Sequence, residues 1–456
     1  MIDVYVEEII EHIRTKDIAK IRDIFSSYHP YDLSQTIIEM ESDDRNLLFS
    51  MLEGKAFGPI IAYIDHQVVL SFFEDLKPRY IVNIIQELDI DDAVDLMKSL
   101  PESDQTAYLK LMDKAHREMI QSLIHYEEDT AGAMMTTEYI EIDIDDTVES
   151  AMKKLIKQSE EAETISTLYV TDNKNVLIGT LSLREIIIAR KGQMIKNIMN
   201  ERLITCTTMM DQEDVAEIFK DYDFTVLPVV DHQHKMLGII TIDDIVDVIE
   251  EAATEDYGLL AGVRDIEIDA ETETVWKSAR KRLPWLLVLS VLGFLTSTII
   301  SQFEGTLEEI PSIALFLPMI LGMAGNTGTQ SLAVTIRGLI NEDFSSKRNI
   351  RKHLIREVGT GILNGLIIGV ILFFITWLFL TLNQTNNAFL ITQTVSLAIV
   401  ISLTVATFAG ALIPIVIHAL GIDPAIASGP FVTMVVDILG ITVYFSIATL
   451  LLITFM

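Results

Sequence analysis

The sequence predicts a multidomain membrane protein. An acidic, water-soluble body, first all-α and then α/β, is joined by a connecting helix to a transmembrane domain of five helices. Three observations carry this. The 456 residues combine a formal net charge of -32 with 50% hydrophobic side chains and a mean hydropathy of +0.36. Disordered chains this acidic are poor in apolar side chains, so the two properties must occupy different stretches. They do: residues 285–456 hold 6 Lys/Arg and 8 Asp/Glu, which leaves 28 and 58 for residues 1–284. The third observation is an internal repeat within the acidic part.

Several function classes are excluded. Nucleic acid is not a partner, because binding it needs a basic footprint. The single Cys206 excludes a disulfide-stapled secreted fold. The first residues are acidic where a signal peptide has a basic and then an apolar stretch, so the soluble part is expected in the cytosol. No Gly-rich phosphate loop, nucleophile motif or HExxH pair occurs, so the chain is not expected to be an enzyme.

Residues 1–133 read as a wholly helical acidic domain. Apolar residues recur at helical spacing in Tyr80–Leu88, Ala93–Leu100 and Tyr108–Ile124. Acidic turns punctuate them at Glu41–Asp44, Asp89–Asp92 and Pro101–Asp104. Short helices with similar turns suggest a small superhelical domain.

The repeat follows. Leu168-Tyr-Val-Thr-Asp172 runs on to Gly179-Thr-Leu-Ser-Leu-Arg-Glu-Ile186. At an offset of 59 residues, Leu227-Pro-Val-Val-Asp231 runs on to Gly238-Ile-Ile-Thr-Ile-Asp-Asp-Ile245. Each copy reads as strand, turn, strand and a helix capped by Ser182 or Thr241, after an earlier helix at Thr147–Gln158 or Gln212–Tyr222. The pattern resembles the CBS domain, a β-α-β-β-α module that works in pairs, with copies at 134–195 and 196–252. Met134/Met135 and Met199 open the copies where that family's first strands often lie. CBS pairs often bind adenosyl ligands, but the segment Thr241–Asp244 serves equally as an ordinary helix cap.

Residues 253–283 connect the two parts, ending in a helix from Thr272 to Leu283 that is acidic at its start and basic from Lys277 to Arg282, as the helix dipole favours. Before it, Asp244, Asp247, Glu250, Glu251, Glu255 and Asp256 crowd into about four helical turns without basic partners at i+4. Two readings stand: a solvated face, or a surface that cations bridge. Carboxylate oxygens suit Mg²⁺ or Ca²⁺.

The membrane domain occupies 284–456. Runs nearly free of charge give five spans near 285–303, 311–337, 358–380, 390–417 and 429–455, each long enough to cross a bilayer. The polar turn Thr381–Asn387 separates the third and fourth. The clusters Lys277–Arg282 and Lys347–Arg356 fall on one side, that of the soluble domain, which places the C-terminus outside. Pro318 with Ala324-Gly-Asn-Thr-Gly-Thr-Gln330, Gly410 and Pro414, and Asp423-Pro-Ala-Ile-Ala-Ser-Gly-Pro430 interrupt the apolar runs. They point to a transport pathway lined by irregular backbone, the alternative being close helix packing. Asp437 is a carboxylate at membrane depth, with only Arg337 as a basic residue within the spans. Such groups usually face a pore or a partner; the alternative is a protonated core Asp. Asp423 reads as a helix cap before Pro424.

Acidic helical domain, CBS pair, connecting helix and five spans, in that order, resemble the MgtE family of magnesium channels. The most specific pieces are Pro318 with Ala324–Gln330, and Asp423–Pro430 leading to Asp437. The resemblance implies a homodimer in the cytoplasmic membrane with its pore on the two-fold axis, and Asp437 as the carboxylate that selects Mg²⁺. It implies Gly429 and Thr433 beside that site. Gly325, Asn326, Gly328 and Gln330 complete the expected pore lining. It implies a Mg²⁺ sensor formed by Asp91 and Asp95 with Asp244, Asp247, Glu255 and Asp256, to which the acidic run itself adds Glu250 and Glu251, and a plug helix at 272–283. ATP binding by the CBS pair is a family property that no local motif secures here. The expected function is therefore a Mg²⁺ channel gated by intracellular Mg²⁺. The alternatives are a transporter of Co²⁺ or Mn²⁺, disfavoured by the lack of cysteine in the spans and by His418 as the one soft ligand there, and a membrane-anchored nucleotide sensor without flux.

Overall fold

The computed structural model describes residues 2–160, 162–263, 274–340, 344 and 346–455, with side chains for 9–160, 162–263, 274–340, 344 and 346–451. The chain forms two units, Met1–Glu250 and Glu251–Met456.

The first unit opens with short helices from Ile2–Thr15 to Lys114–Leu123. Side-chain caps set several of their starts, at Asp17, His29, Asp65 and Asp113. The expected long helix Tyr108–Ile124 is two helices, Glu102–Leu111 and Lys114–Leu123. Asp113 divides them by accepting from the backbone N–H groups of Ala115 and His116 at 2.8 and 3.1 Å. Apolar faces of these helices merge with Val215, Phe219, Leu227, Ile240 and Val248 into one core, so the helical domain and the second repeat are packed as one body.

The repeats form two three-stranded sheets. In the first, β1 (Glu141–Asp143) pairs parallel to β2 (Thr167–Thr171), which pairs antiparallel to β3 (Leu177–Ser182). The second repeats this with β4 (Cys206–Thr207), β5 (Val226–Val230) and β6 (Met236–Thr241). The methionines do not lie in first strands. Instead each copy's leading segment crosses to the other copy. Thr136 N–H donates to Ile239 C=O at 2.9 Å, and Asn200 N–H to Thr180 C=O at 2.8 Å. This explains the glycines at the shared repeat position. A Cβ on Gly179 would lie 2.7 Å from Met199 Sδ, and one on Gly238 would lie 2.5 Å from Thr136 O.

The helix after β6 continues through Gly258. It runs from Ile242 to Ala261 and ends at Gly262, whose φ of +71° suits glycine. Among the described residues the second unit holds five helices long and apolar enough to cross a membrane: Val275–Ser301, Pro311–Ile340, Lys347–Leu382, Ala388–Ala419 and Gly429–Leu451. The expected connecting helix and first span are one helix, Val275–Ser301, which continues through Pro284; the start of the expected helix, 272 and 273, lies outside the described residues.

The second span is also unbroken. Leu317–Ile340 is helical through Ala324–Gln330, with Pro318 in its first turn, where no backbone N–H is needed. The fourth span, Ala388–Ala419, likewise contains Pro414 within a helix. The expectation of broken backbone is corrected for these two spans. Gly328 and Gly410 are instead packing residues. A Cβ on Gly410 would clash with the Gly328 carbonyl oxygen, and one on Gly328 would lie 2.9 Å from Val436 Cγ2.

Candidate ion pathway and acidic sensor

In the last span, Gly429–Phe455, Asp437 is half-buried. Its Oδ1 is buried and has no hydrogen-bond partner. Among the described residues no Lys or Arg forms an ion pair with it. Arg337 lies exposed at the end of the second span and lines a basic cavity instead. An unpaired carboxylate at membrane depth is costly and needs a cation, a proton or water.

Gly325 lets the second span approach this carboxylate. A Cβ there would sit 3.5 Å from Asp437 Oδ1 and 2.8 Å from Thr433 Cγ2. Thr329 donates its hydroxyl to Gly325 C=O at 2.9 Å and lies 3.2 Å from Thr433 Oγ1. With the Thr329 proton committed, the Thr433 hydroxyl is the donor in that pair. Thr433, Thr329, Gly325 and Asp437 thus form one polar seam between the second and fifth spans. Gly429 is buried at the head of the fifth span, where a Cβ would lie 3.4 Å from both Thr329 Cγ2 and Leu260 O. Asn326 and Gln330 are exposed one turn apart on another face of the second span, while Gly328 is buried in the crossing with Gly410. The seven residues expected to line a pore therefore divide into a seam, an exposed face and a packing contact.

The second cluster lies in the first unit. The helix Ile90–Lys98 begins with Asp91 and Asp92, after Asp89. Burial first, and the charge of Asp244 on the helix Ile242–Ala261 second, raise the Asp91 carboxyl well above its usual range. Burial, then Asp89 and Asp244, push Asp92 up to about 7. Burial takes Asp244 up to about 6, although the Thr241 hydroxyl donates to its Oδ2 at 2.9 Å and opposes the rise. Glu163, pushed to about 7, is raised by burial and then by Asp89, Asp243 and Asp244.

Asp89, Glu138 and Glu163 each place one carboxylate oxygen within 4.8 Å of the others, close enough to share a metal ion. None of these three was foreseen as a ligand. Asp89 read only as part of the acidic turn Asp89–Asp92, and Glu138 and Glu163 sit on loops of the first repeat with no local signal.

The other expected sensor residues are dispersed. Asp95 lies 3.6 Å from Lys98 Nζ, which opposes the rise that burial causes. Asp247 and Glu250 are exposed on the same helix as Asp244. Asp247 is raised by burial and next by Glu250. Glu251, Glu255 and Asp256 belong to the second unit. There Asp256 is raised by burial and then by Asp423. Asp423 does cap its turn, accepting from Ala425 N–H at 2.8 Å, and its charge also raises the Asp256 carboxyl.

Comparison with known proteins agrees with this organisation. Residues 317–447 match the family described as a divalent cation transporter, MgtE. Residues 28–129 match the MgtE intracellular N domain, and 131–192 with 195–251 match the CBS domain. The magnesium transporter MgtE of Enterococcus faecalis is 36% identical over 444 residues, covering 97% of this chain and 96% of that protein. The soluble part of a magnesium transporter, a crystal structure, covers 56% of this chain and 100% of its own at 35% identity, with a TM-score of 0.53. The cytosolic domain of the Mg²⁺ channel MgtE in complex with ATP covers 53% and 99% at 33% identity, with a TM-score of 0.50. An acidic helical domain, a paired α/β repeat and five spans, matched in that order over nearly the whole length, leave one conclusion: the chain belongs to the MgtE family of magnesium transporters.

Proposed function

We propose that the chain conducts Mg²⁺ across the cytoplasmic membrane and closes when intracellular Mg²⁺ binds its acidic soluble domain. The observation that carries the gating half is the charge of Asp244 acting on Asp91, Asp92 and Glu163 together. Several carboxylates are gathered there, and no cation among the described residues pairs with Asp91, Asp92, Asp244 or Glu163. At low Mg²⁺ their mutual repulsion favours separation of the helices that carry them. A divalent ion removes the repulsion and favours the compact state, so ion binding shifts a two-state population. Asp89 and Glu138 extend the site, and Asp256 with Asp423 supplies a second like-charged pair in the other unit.

The conduction half rests on Asp437. Mg²⁺ gives up its waters reluctantly, so the ion is expected to pass with its inner water shell, held by Asp437 and by the oxygens of Thr433, Gly325 and Gly429. A homodimer with two Asp437 carboxylates facing one axis doubles the negative field. The soluble domain lies in the cytosol and the C-terminus outside, from the basic residues that flank the spans. The CBS pair is proposed to bind ATP, as the related cytosolic domain does.

The test of conduction is Mg²⁺ uptake into proteoliposomes by the wild-type chain and by Asp437→Asn. The variant keeps the side-chain shape and loses the charge. Uptake is expected to fall at least tenfold, which is about 1.4 kcal/mol of lost ion stabilisation. Undiminished uptake would sink the assignment.

A further inference from the structure

The end of the second span and the start of the third-span helix enclose a cavity of about 510 Å³. Its wall carries Arg337, Lys352 and Arg356, with His353, Phe344 and Asn349, and no carboxylate among its described lining residues. The three cations are exposed, and none of them forms an ion pair with a described carboxylate. Charges of one sign gathered at one concavity repel, and an anion there removes the repulsion.

The wall is held in place from behind. Arg356 donates to His353 Nδ1 at 3.0 Å. His353 is 3% exposed. With Nδ1 as acceptor, the ring proton sits on Nε2, which donates to Thr335 Oγ1 at 2.8 Å. Thr335 donates its own hydroxyl to Ser331 C=O at 2.7 Å. The Phe344 ring lies 4.6 Å from the imidazole. Arg356 is therefore fixed by a neutral acceptor, which leaves its full charge for a ligand. Beside the cavity the surface turns apolar, with Val334, Ile340 and Ile355 half or more exposed.

A basic cavity bordered by exposed aliphatic side chains matches a ligand with a phosphate group and an alkyl chain. Arginine pairs with phosphate through two parallel N–H bonds, and basic pockets between spans on the cytosolic side bind anionic lipid headgroups. Two crossings return the chain to the side on which the first span begins, so the cavity faces the leaflet next to the soluble domain. We propose that this cavity binds the phosphate headgroup of an anionic phospholipid from that leaflet.

The test is native mass spectrometry of the full-length protein in neutral detergent, titrated with phosphatidylglycerol or phosphatidylcholine. Wild type is expected to retain one phosphatidylglycerol per chain above the phosphatidylcholine background. R337Q/K352Q is expected to weaken retention about thirtyfold, and the charge-conserving R337K/K352R to keep it within about twofold. Retention by R337Q/K352Q equal to that of wild type overturns the proposal. So does displacement of the lipid by millimolar inorganic phosphate, which would make the ligand a free anion. If the double variant does not fold, Lys352→Gln alone is expected to weaken retention about fivefold, and no change there overturns the proposal equally.

Discussion

The charge of Asp244, near the start of the helix Ile242–Ala261, reaches Asp91 on the helix Ile90–Lys98 and raises its carboxyl, although 153 residues separate them. Both are half-buried, and burial is the first cause that raises each. A proton or a counter-ion relieves such an arrangement at neutral pH.

The pH dependence follows with a definite sign. Asp92 and Glu163 near 7 and Asp244 near 6 lie above ordinary carboxylates. Groups raised in the folded state bind more protons folded than unfolded. Their favourable contribution is complete below about pH 4 and lost as the pH rises to about 7. Without Mg²⁺, the hydrogen-exchange protection factors of Ile90–Lys98, with the intrinsic pH dependence of amide exchange divided out, should therefore fall between pH 4 and 7, and millimolar Mg²⁺ at pH 7 should restore them. Protection factors that ignore both pH and Mg²⁺ would show that the cluster is not coupled to compaction.

Neutralising one member should relieve the repulsion and weaken the ion site together. Asp244→Asn is expected to protect the soluble domain from protease without Mg²⁺ and to move the Mg²⁺ midpoint up about tenfold, or about 1.4 kcal/mol. Glu163→Gln should act in the same direction, a distinction from variants such as Glu53→Gln, which lies outside the cluster. A midpoint unmoved in both cluster variants contradicts the proposed sensor.

Packing in the membrane domain makes a separate prediction. Gly410→Ala places a methyl group against the Gly328 carbonyl, whereas Gly293→Ala meets nothing within 4 Å. The first should destabilise the detergent-solubilised protein by about 1–3 kcal/mol and the second hardly at all. Equal melting temperatures for the two would remove the close-packed crossing from this account.

The same helices show what was legible in the sequence. Charge-free runs locate all five spans because a bilayer admits few ionised side chains and satisfies backbone only within helices. Helix ends were less visible. The third span extends back through its basic cluster to Lys347, because a helix continues into the interface once nucleated. The segment Ala324–Gln330 looked like a break, yet its glycines serve contact between spans, and a sequence cannot distinguish a glycine that bends a helix from one that admits a neighbour. The repeat was visible through its 59-residue offset, but not the exchange of leading segments that places Met199 on Gly179. Asp91 was a candidate through the resemblance and Asp244 through its acidic run as well; Glu138 and Glu163 were candidates through neither, since their loops meet Asp89 only through the tertiary fold.

The most direct measurement is of Mg²⁺ current through the full-length chain in inside-out membrane patches, with Mg²⁺ varied on the face that bears the soluble domain. Open probability should fall steeply as that Mg²⁺ rises into the millimolar range, Asp244→Asn should shift the curve upward about tenfold, and Asp437→Asn should pass little current at any Mg²⁺. A wild-type current indifferent to Mg²⁺ on that face would contradict gating by the acidic cluster, whatever the fate of Asp437.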